Sequence, residues 1–399
     1  MEVSQSDKLQ SIPGYAFDEM NRKVESLEAE GVDVIDLGVG DPVRATPRVA
    51  RDACCEGVST YATSGYPPYA GTPELRTGAA EYMKRMFDVS MDPDAQVLVT
   101  AGSKEAVFHF PLGVVDPGDT ILVPSPGYVP YMRGALFAGA RTVCYGLDER
   151  DGYLPDPEAI ARLIDDTNAA GSRVRLLWLC YPNAPTGGVA SRDFYDRMLG
   201  VTRPRDVVLA SDEAYADFVW RGDTVSALQS GEEGVLAFFS LSKRSNMTGY
   251  RVGWVSGDPR LVAALSKVKV NLDSGTPCFV QSAAAAALAD ERHVEDMRAE
   301  YRRNIDTLCS ALQEAGLDVV RPAGSIYVWQ RGPGTMSSSQ LCERLLAPEV
   351  AVAALPGEAL SPALPDGSCP GRGYVRFSMT ALPERIDEAA RRIREHLEL

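Results

Sequence analysis

The densest chemistry in this 399-residue chain lies in SLSKRSNMTGYRVGW, Ser240–Trp254. Ser240 stands three residues before Lys243, and Arg251 eight residues after it. A lysine that serves as a Schiff-base nucleophile gains from neighbouring cations that depress its pKa. A phosphate would use Ser240 as a hydroxyl donor and Arg251 as a two-pronged partner. Taken alone, these residues also suit a charged turn at a strand end. The segment SDEAYADF, Ser211–Phe218, follows the apolar run DVVLA. That order puts Asp212 at the carboxyl end of a parallel strand, where α/β sheets hold ligands. A buried carboxylate needs a positive or hydrogen-bonding partner, and a protonated pyridine nitrogen would serve. The alternative for Asp212 is a turn or capping role.

Three further segments have the same placement. In AGSKEAVFHF, after the run QVLVT, Gly102, Ser103 and Lys104 form a tight entry to a helix. The free N–H groups at that helix start make an anion site. YPNAPTGG, Tyr181–Gly188, follows RLLWLC and reads as a loop fixed by two prolines and two glycines. In GVGDP, Gly38–Pro42, glycine lets backbone approach a ligand closely. Each segment by itself fits an ordinary connection.

The elements that must position these residues are short apolar runs from about Gln96 to Val270: QVLVT, TILVPSP, RTVCYGL, RVRLLWLCYP, DVVLASDEAY, VLAFFSLSK and RVGWVSG. Several show little alternation, as strands buried on both faces should. DPEAIARLIDD and SRDFYDRMLG between them read as helices. The pattern predicts an α/β fold, a three-layer α/β/α large domain with a mostly parallel sheet. After about Asp290 the character changes. Val294, Met297, Tyr301, Ile305, Leu308 and Leu312 form a helical stripe ended by Gly316. SIYVWQR and YVRFSMT follow as strands, then a helix opened by Pro383. The expected organisation is an N-terminal arm, 1–46, joined to a smaller α+β domain, 291–399, with the large domain at 47–290.

Composition excludes several classes. The net charge is −15 with acids scattered, which argues against nucleic acid as a partner. The eight cysteines contain no CxxC pair, so neither a zinc site nor a disulfide framework is expected, and no metal is called for. The polar N-terminus has no apolar signal region and no run reaches membrane-span length. A cytoplasmic protein is the expectation.

The order and spacing of the five motifs resemble the fold-type I, class I/II aminotransferases from about Ile12 to the C-terminus. GSKEAVFHFPLG, PSPGY and DSGTPCFVQ resemble the diaminopimelate aminotransferase branch. The resemblance implies pyridoxal 5′-phosphate as cofactor. It implies Lys243 as the lysine that holds the cofactor as an imine and later shuttles the α-proton. Asp212 would keep the pyridine nitrogen protonated, Tyr215 would bond the ring 3-oxygen, and Tyr128 would stack on the ring. Backbone groups of Ser103 and Lys104, with Ser240 and Arg251, match the phosphate cup. Tyr66, in GYPPYAG, matches a tyrosine that serves the neighbouring subunit, so a homodimer is implied. Arg376, in YVRFS, matches the clamp on the substrate carboxylate, Gly40 the glycine that touches it, and Tyr15 a stretch that closes over substrate.

One position departs from the family pattern. Asparagine usually stands immediately before the Pro-Thr-Gly and bonds the ring 3-oxygen; here that residue is Ala184, and the asparagine is Asn183. Asn183 is expected to supply its amide through a shifted loop, or Tyr215 to act with less help. The activity implied is ping-pong transfer of an amino group between an amino acid with a long, polar or charged side chain and a 2-oxo acid such as 2-oxoglutarate. Two alternatives share these motifs: other pyridoxal-phosphate chemistry (elimination, replacement or oxidase-like), and a non-catalytic effector-sensing domain. The second would carry a DNA-binding module ahead of the matching region, where only about ten residues stand.

Overall fold

The computed structural model describes residues 4–12, 17–63 and 65–399, the side chains of 17–20 excepted. A two-residue strand β1, Ile35–Asp36, comes first. Each of the seven apolar runs then becomes a strand of one sheet: β2 Val97–Thr100, β3 Thr120–Ser125, β4 Arg141–Gly146, β5 Val174–Cys180, β6 Val208–Asp212, β7 Val235–Ser240 and β8 Gly253–Gly257. Their order across the sheet is β2-β8-β7-β6-β5-β3-β4. Strands from β4 to β7 pair in parallel, while β8 runs antiparallel to both neighbours. The mostly parallel sheet read from the sequence is present.

Successive residues of these strands enter different cores. Val97 and Val99 pack in one cluster and Leu98 in another; Leu177 and Leu179 separate likewise from Leu176 and Trp178. Side chains alternate across a strand, so apolar residues at every position require cover on both faces. Helices supply it, giving three layers. Edge strand β4 is the contrast, since it leaves Arg141 and Gly146 exposed. The helix Pro157–Ala169 starts where Asp156 accepts from the N–H groups of Glu158 and Ala159, and Arg192–Thr202 starts where Ser191 accepts from Phe194. Such caps satisfy donors that have no partner inside the helix.

The C-terminal part adds β9 Tyr327–Arg331, β10 Val352–Ala353, β11 Leu355–Pro356 and β12 Tyr374–Ser378. β11, β12 and β9 form an antiparallel sheet, flanked by the helices Arg292–Glu314 and Pro383–His396. β1 pairs in parallel with β10, and Ile35 and Leu37 share a core with Leu308, Leu312, Phe377 and Ile393. The segment that carries GVGDP is thereby tied to the far end of the chain. No helix among the described residues is long and apolar enough to cross a membrane.

Candidate active site

The loops that leave β2, β5, β6 and β7 open on one edge of the sheet. There they line a cavity of about 500 Å³ together with Gly40, Asp41, Tyr128, Tyr327 and Arg376. Ser103, Lys104, Asp212, Tyr215, Ser240, Lys243 and Arg251 all face it.

Lys243 sits in a short helix, Leu241–Arg244, directly after β7. The turn is held by its neighbour. Arg244 is buried, lies 3.3 Å from Asp217, donates to Glu291 at 2.6 Å, and donates to the Ala287 carbonyl at 3.0 Å. Asp217 also accepts from the Tyr82 hydroxyl at 3.1 Å. This network ties the lysine segment to the SDEAYADF segment, in which Asp217 stands. Lys243 Nζ donates to the Gly40 carbonyl. Burial is the main cause that lowers its pKa; Arg376 and Arg251 push the same way, and Tyr327 and Asp41 oppose them. A lysine with a depressed pKa is more readily the free amine that a nucleophile requires.

Asp212 ends β6 and is buried. Burial raises its pKa to about 6, against donation from the Tyr131 hydroxyl at 2.7 Å and the Ala214 N–H. A bound cation would return it to the charged form. Tyr131 is a site residue the sequence reading did not single out. It follows Tyr128 by three in the helix Pro130–Phe137, and its ring stacks on Trp178 with centroids 4.6 Å apart.

The helix Ser103–Val114 begins at the cavity. Gly102 has φ +80°, and a Cβ there would also meet Arg251 Nη2 at 2.7 Å. Arg251 has φ +52° and donates to the Thr248 carbonyl, which turns its guanidinium toward that helix start. Ser240 and Ser242 complete this end.

At the other end Arg376, from β12, donates to the Gly38 carbonyl at 2.8 Å, and its buried Nε has no partner among the described residues. Its guanidinium carbon lies 4.3 Å from the centre of the Tyr327 ring. Tyr327 is the second site residue not singled out in the sequence. Its hydroxyl is 3.0 Å from that of Tyr215, whose pKa is driven up by burial and by this neighbour. A Cβ at Gly40 would collide with the Tyr327 hydroxyl, which explains glycine there by close approach.

Two expected site residues, Asn183 and Tyr66, are not in this cluster. Asn183 is buried in its own loop: its amide donates to the Cys180 carbonyl at 3.1 Å, and its oxygen accepts from the Thr186 N–H and hydroxyl. The turn consumes the amide, and the cavity receives Ala184 instead. The expected shift of the loop, with Asn183 supplying its amide to the site, is therefore corrected. Tyr66 is 86% exposed and lines no part of its own chain's cavity. Tyr15 lies outside the described residues.

Comparison with known proteins gives the family of the chain. Residues 32–393 match the family model for aminotransferase class I and II. The chain is 36% identical to LL-diaminopimelate aminotransferase of Aquifex aeolicus, with 98% of each covered. The substrate-bound BacF structure from Bacillus subtilis superposes with a TM-score of 0.88 at 31% identity, covering 99% of this chain and 98% of that one. Thermus thermophilus aspartate aminotransferase with maleate does so with a TM-score of 0.87 at 30% identity, covering 99% and 100%. A three-layer fold with a lysine, an aspartate and an arginine about one cavity at the strand ends belongs to a pyridoxal-phosphate enzyme, and the chain belongs to the class I and II aminotransferases. Within that family it resembles the diaminopimelate aminotransferase branch.

The residues present fit the cofactor. A buried carboxylate with a raised pKa suits a protonated ring nitrogen, the helix start with Arg251 suits a phosphate, and Lys243 lies between them.

Proposed function

We propose that this aminotransferase takes an amino acid with a long, polar or charged side chain, with 2-oxoglutarate as the amino acceptor, and works by ping-pong half-reactions. The observation that carries the reading is the buried Nε of Arg376, which has no partner among the described residues and belongs to a side chain lining the same cavity as Lys243. A buried guanidinium donor without a partner is costly to leave unmade, and a carboxylate would satisfy it with two parallel bonds. Pyridoxal phosphate, when bound, supplies the electron sink. Asp212 would hold a proton on the ring nitrogen, Tyr215 would donate toward the ring oxygen, and Ser103, Ser240 and Arg251 would hold the phosphate. Arg376 would orient the amino acid, and Lys243 Nζ would take its α-proton in one half-reaction and deliver a proton to the α-carbon derived from the oxo acid in the other.

The substrate class is supported by the names of relatives such as the LL-diaminopimelate aminotransferases of Aquifex aeolicus and Syntrophobacter fumaroxidans, at 36% and 37% identity. Asp41 and Asn21 at the cavity add polar groups beyond the reacting centre. We also propose a homodimer. Tyr66, Val58, Leu272 and Phe279 are exposed apolar residues on segments that meet, since Gly57 abuts Phe279 and Gly275 abuts Pro67. Exposed apolar patches of this kind mark contact surfaces.

The test is a matrix of amino donors against 2-oxo acids, read by mass spectrometry of both products. LL-diaminopimelate with 2-oxoglutarate should rank with the best pairs. A marked preference for short aliphatic donors would reject the substrate class, and products other than an amino acid and an oxo acid would reject the reaction.

A further inference from the structure

The loop between β5 and the Arg192–Thr202 helix offers the cavity only Ala184 at the position beside Tyr215, because Asn183 has spent its amide within the turn. A second hydroxyl stands there instead. Tyr327 opens β9, and its ring is fixed among Phe218, Met297, Tyr301 and Ile326. Its backbone is fixed too: Ser325, two residues before it, has φ +62° and its carbonyl accepts from the Trp220 indole at 2.7 Å. The phenol therefore has little freedom. One edge of it meets the Tyr215 hydroxyl at 3.0 Å, and one face carries the Arg376 guanidinium at 4.3 Å.

We propose that Tyr327 is a positioning residue with two separable tasks: its hydroxyl completes a donor pair with Tyr215 that replaces the missing loop amide, and its ring is the platform on which Arg376 is held for the substrate carboxylate. The proposal rests on the roles given above to Tyr215 and Arg376, and adds the residue that joins them.

The physical argument has two parts. Two tyrosine hydroxyls in contact have two protons, and only one is used between them. The other is left for an acceptor in the cavity, and a hydroxyl that accepts a bond becomes a better donor. Any oxyanion facing the pair is stabilised by it. Withdrawing the Tyr327 hydroxyl weakens that stabilisation, so the Lys243 nitrogen should hold its proton to higher pH. The charged or titratable groups around this point are Lys243, Asp41, Arg376, Arg251, Tyr215 and Tyr327, with Cys180 beneath Tyr215 and Tyr301 behind Tyr327. The ring argument is independent of the hydroxyl. A guanidinium over a buried aromatic face is held by the ring's negative face, and β9–β12 pairing sets Arg376 opposite Trp329, one diagonal step from Tyr327.

Two variants of the cofactor-loaded protein separate the tasks. In Tyr327→Phe the platform stays and the hydroxyl goes. The midpoint of the visible absorption titration should rise by about one pH unit, with maleate affinity kept within about twofold. In Tyr327→Leu both are lost, and maleate should also bind about tenfold more weakly. Thermal melts of the variants check folding, and Tyr327→Phe preserves the core if Tyr327→Leu does not fold. An unmoved titration in Tyr327→Phe overturns the hydroxyl's task; a maleate affinity in folded Tyr327→Leu equal to that of Tyr327→Phe overturns the ring's. Failure of the underlying reading looks different: Arg376→Lys would then leave maleate binding unchanged in the otherwise native protein.

Discussion

At one end of the cavity Ser103, Ser240 and Arg251 stand at the ends or borders of strands in a single sheet. At the other end Gly40, Tyr327 and Arg376 come from three stretches of chain joined through the β1–β10 and β9–β12 pairings. The first end is made of groups close to one another along adjacent strands, with backbone N–H groups as much as side chains. The second depends on contacts between residues separated by as many as 338 positions, as in the bond from the Arg376 guanidinium to the Gly38 carbonyl. The difference teaches that cofactor retention and substrate affinity should respond to different substitutions in this protein, although one cavity is proposed for both ligands.

Lys243 stands between the two ends, and its removal should have the largest effect. Lys243→Ala should lower the transamination rate by at least about 10²–10⁴-fold, the scale of a lost proton-transfer group. Borohydride should no longer fix cofactor to the chain. Full activity in that variant would end the mechanism for both ends together.

The next effect is on the frame. Arg244 is buried against Asp217, Glu291 and the Tyr82 ring. Removing one partner of a buried charge network costs about 3–5 kcal/mol. Arg244→Met should lower the denaturation midpoint accordingly. A loss comparable to that of a surface substitution would show that the network does not hold the lysine turn.

The comparison itself can be broken by a crossed pair. Arg376→Lys should weaken amino-acid binding by about 2–4 kcal/mol, because lysine cannot reproduce the fork and a buried carboxylate is left short of partners. Cofactor retention should be unchanged. Arg251→Lys should do the reverse, releasing cofactor on dialysis while the loaded fraction keeps its amino-acid affinity. Loss of the same ligand in both variants would mean that the two ends are not independent.

The loop between the ends gives a smaller effect. Asn183→Ala should cost about 1–3 kcal/mol of stability, the range for unsatisfied buried partners, and leave the absorption titration of the loaded protein where it was. Ala184→Asn should move the titration to lower pH by adding a donor at the cavity. A shift in the first variant and none in the second would reverse the assignment of these two positions.

A further effect is a pH dependence beneath the site. Glu213 is buried beside Asp212, bonded to the Ser211 hydroxyl and the Ala227 N–H, and burial raises its pKa to about 7. A carboxyl with a raised folded pKa keeps its proton in the folded state after the unfolded chain has lost it. Its contribution is fully present below about pH 4.5 and is lost as pH rises to about 7, with no further change above. Glu213→Gln should flatten the stability profile across that window. An unchanged slope would place the titration elsewhere.

Much of this was legible in the sequence because the signals are local. The seven apolar runs became the seven strands, since residues buried on both faces must be apolar at successive positions. Asp212 ends a strand, Lys243 and Ser103 follow strands closely, and Arg251 stands just before one, so reading the strands placed these residues at the cavity edge. RVGWVSG was legible as a strand but not as the one antiparallel member, because pairing direction leaves no mark on a short apolar run. Asn183 went astray for a related reason. An amide one residue from a ligand position and an amide that locks a turn read alike, and only the Thr186 and Cys180 contacts separate them.

By itself the sequence determined the longer strands, the helix starts and the residue types that strand ends present, because burial period and capping act over a few neighbours; the two-residue strands β1, β10 and β11 were not legible in it. Only the tertiary structure decided that Tyr131 holds Asp212, that Tyr327 lies between Tyr215 and Arg376, and that Gly40 is glycine to admit a phenol from a distant strand. Those contacts join side chains from elements far apart in the chain. Their chemistry comes from which faces meet when β1 pairs with β10 and the small sheet closes over the large one, and no local pattern records that meeting.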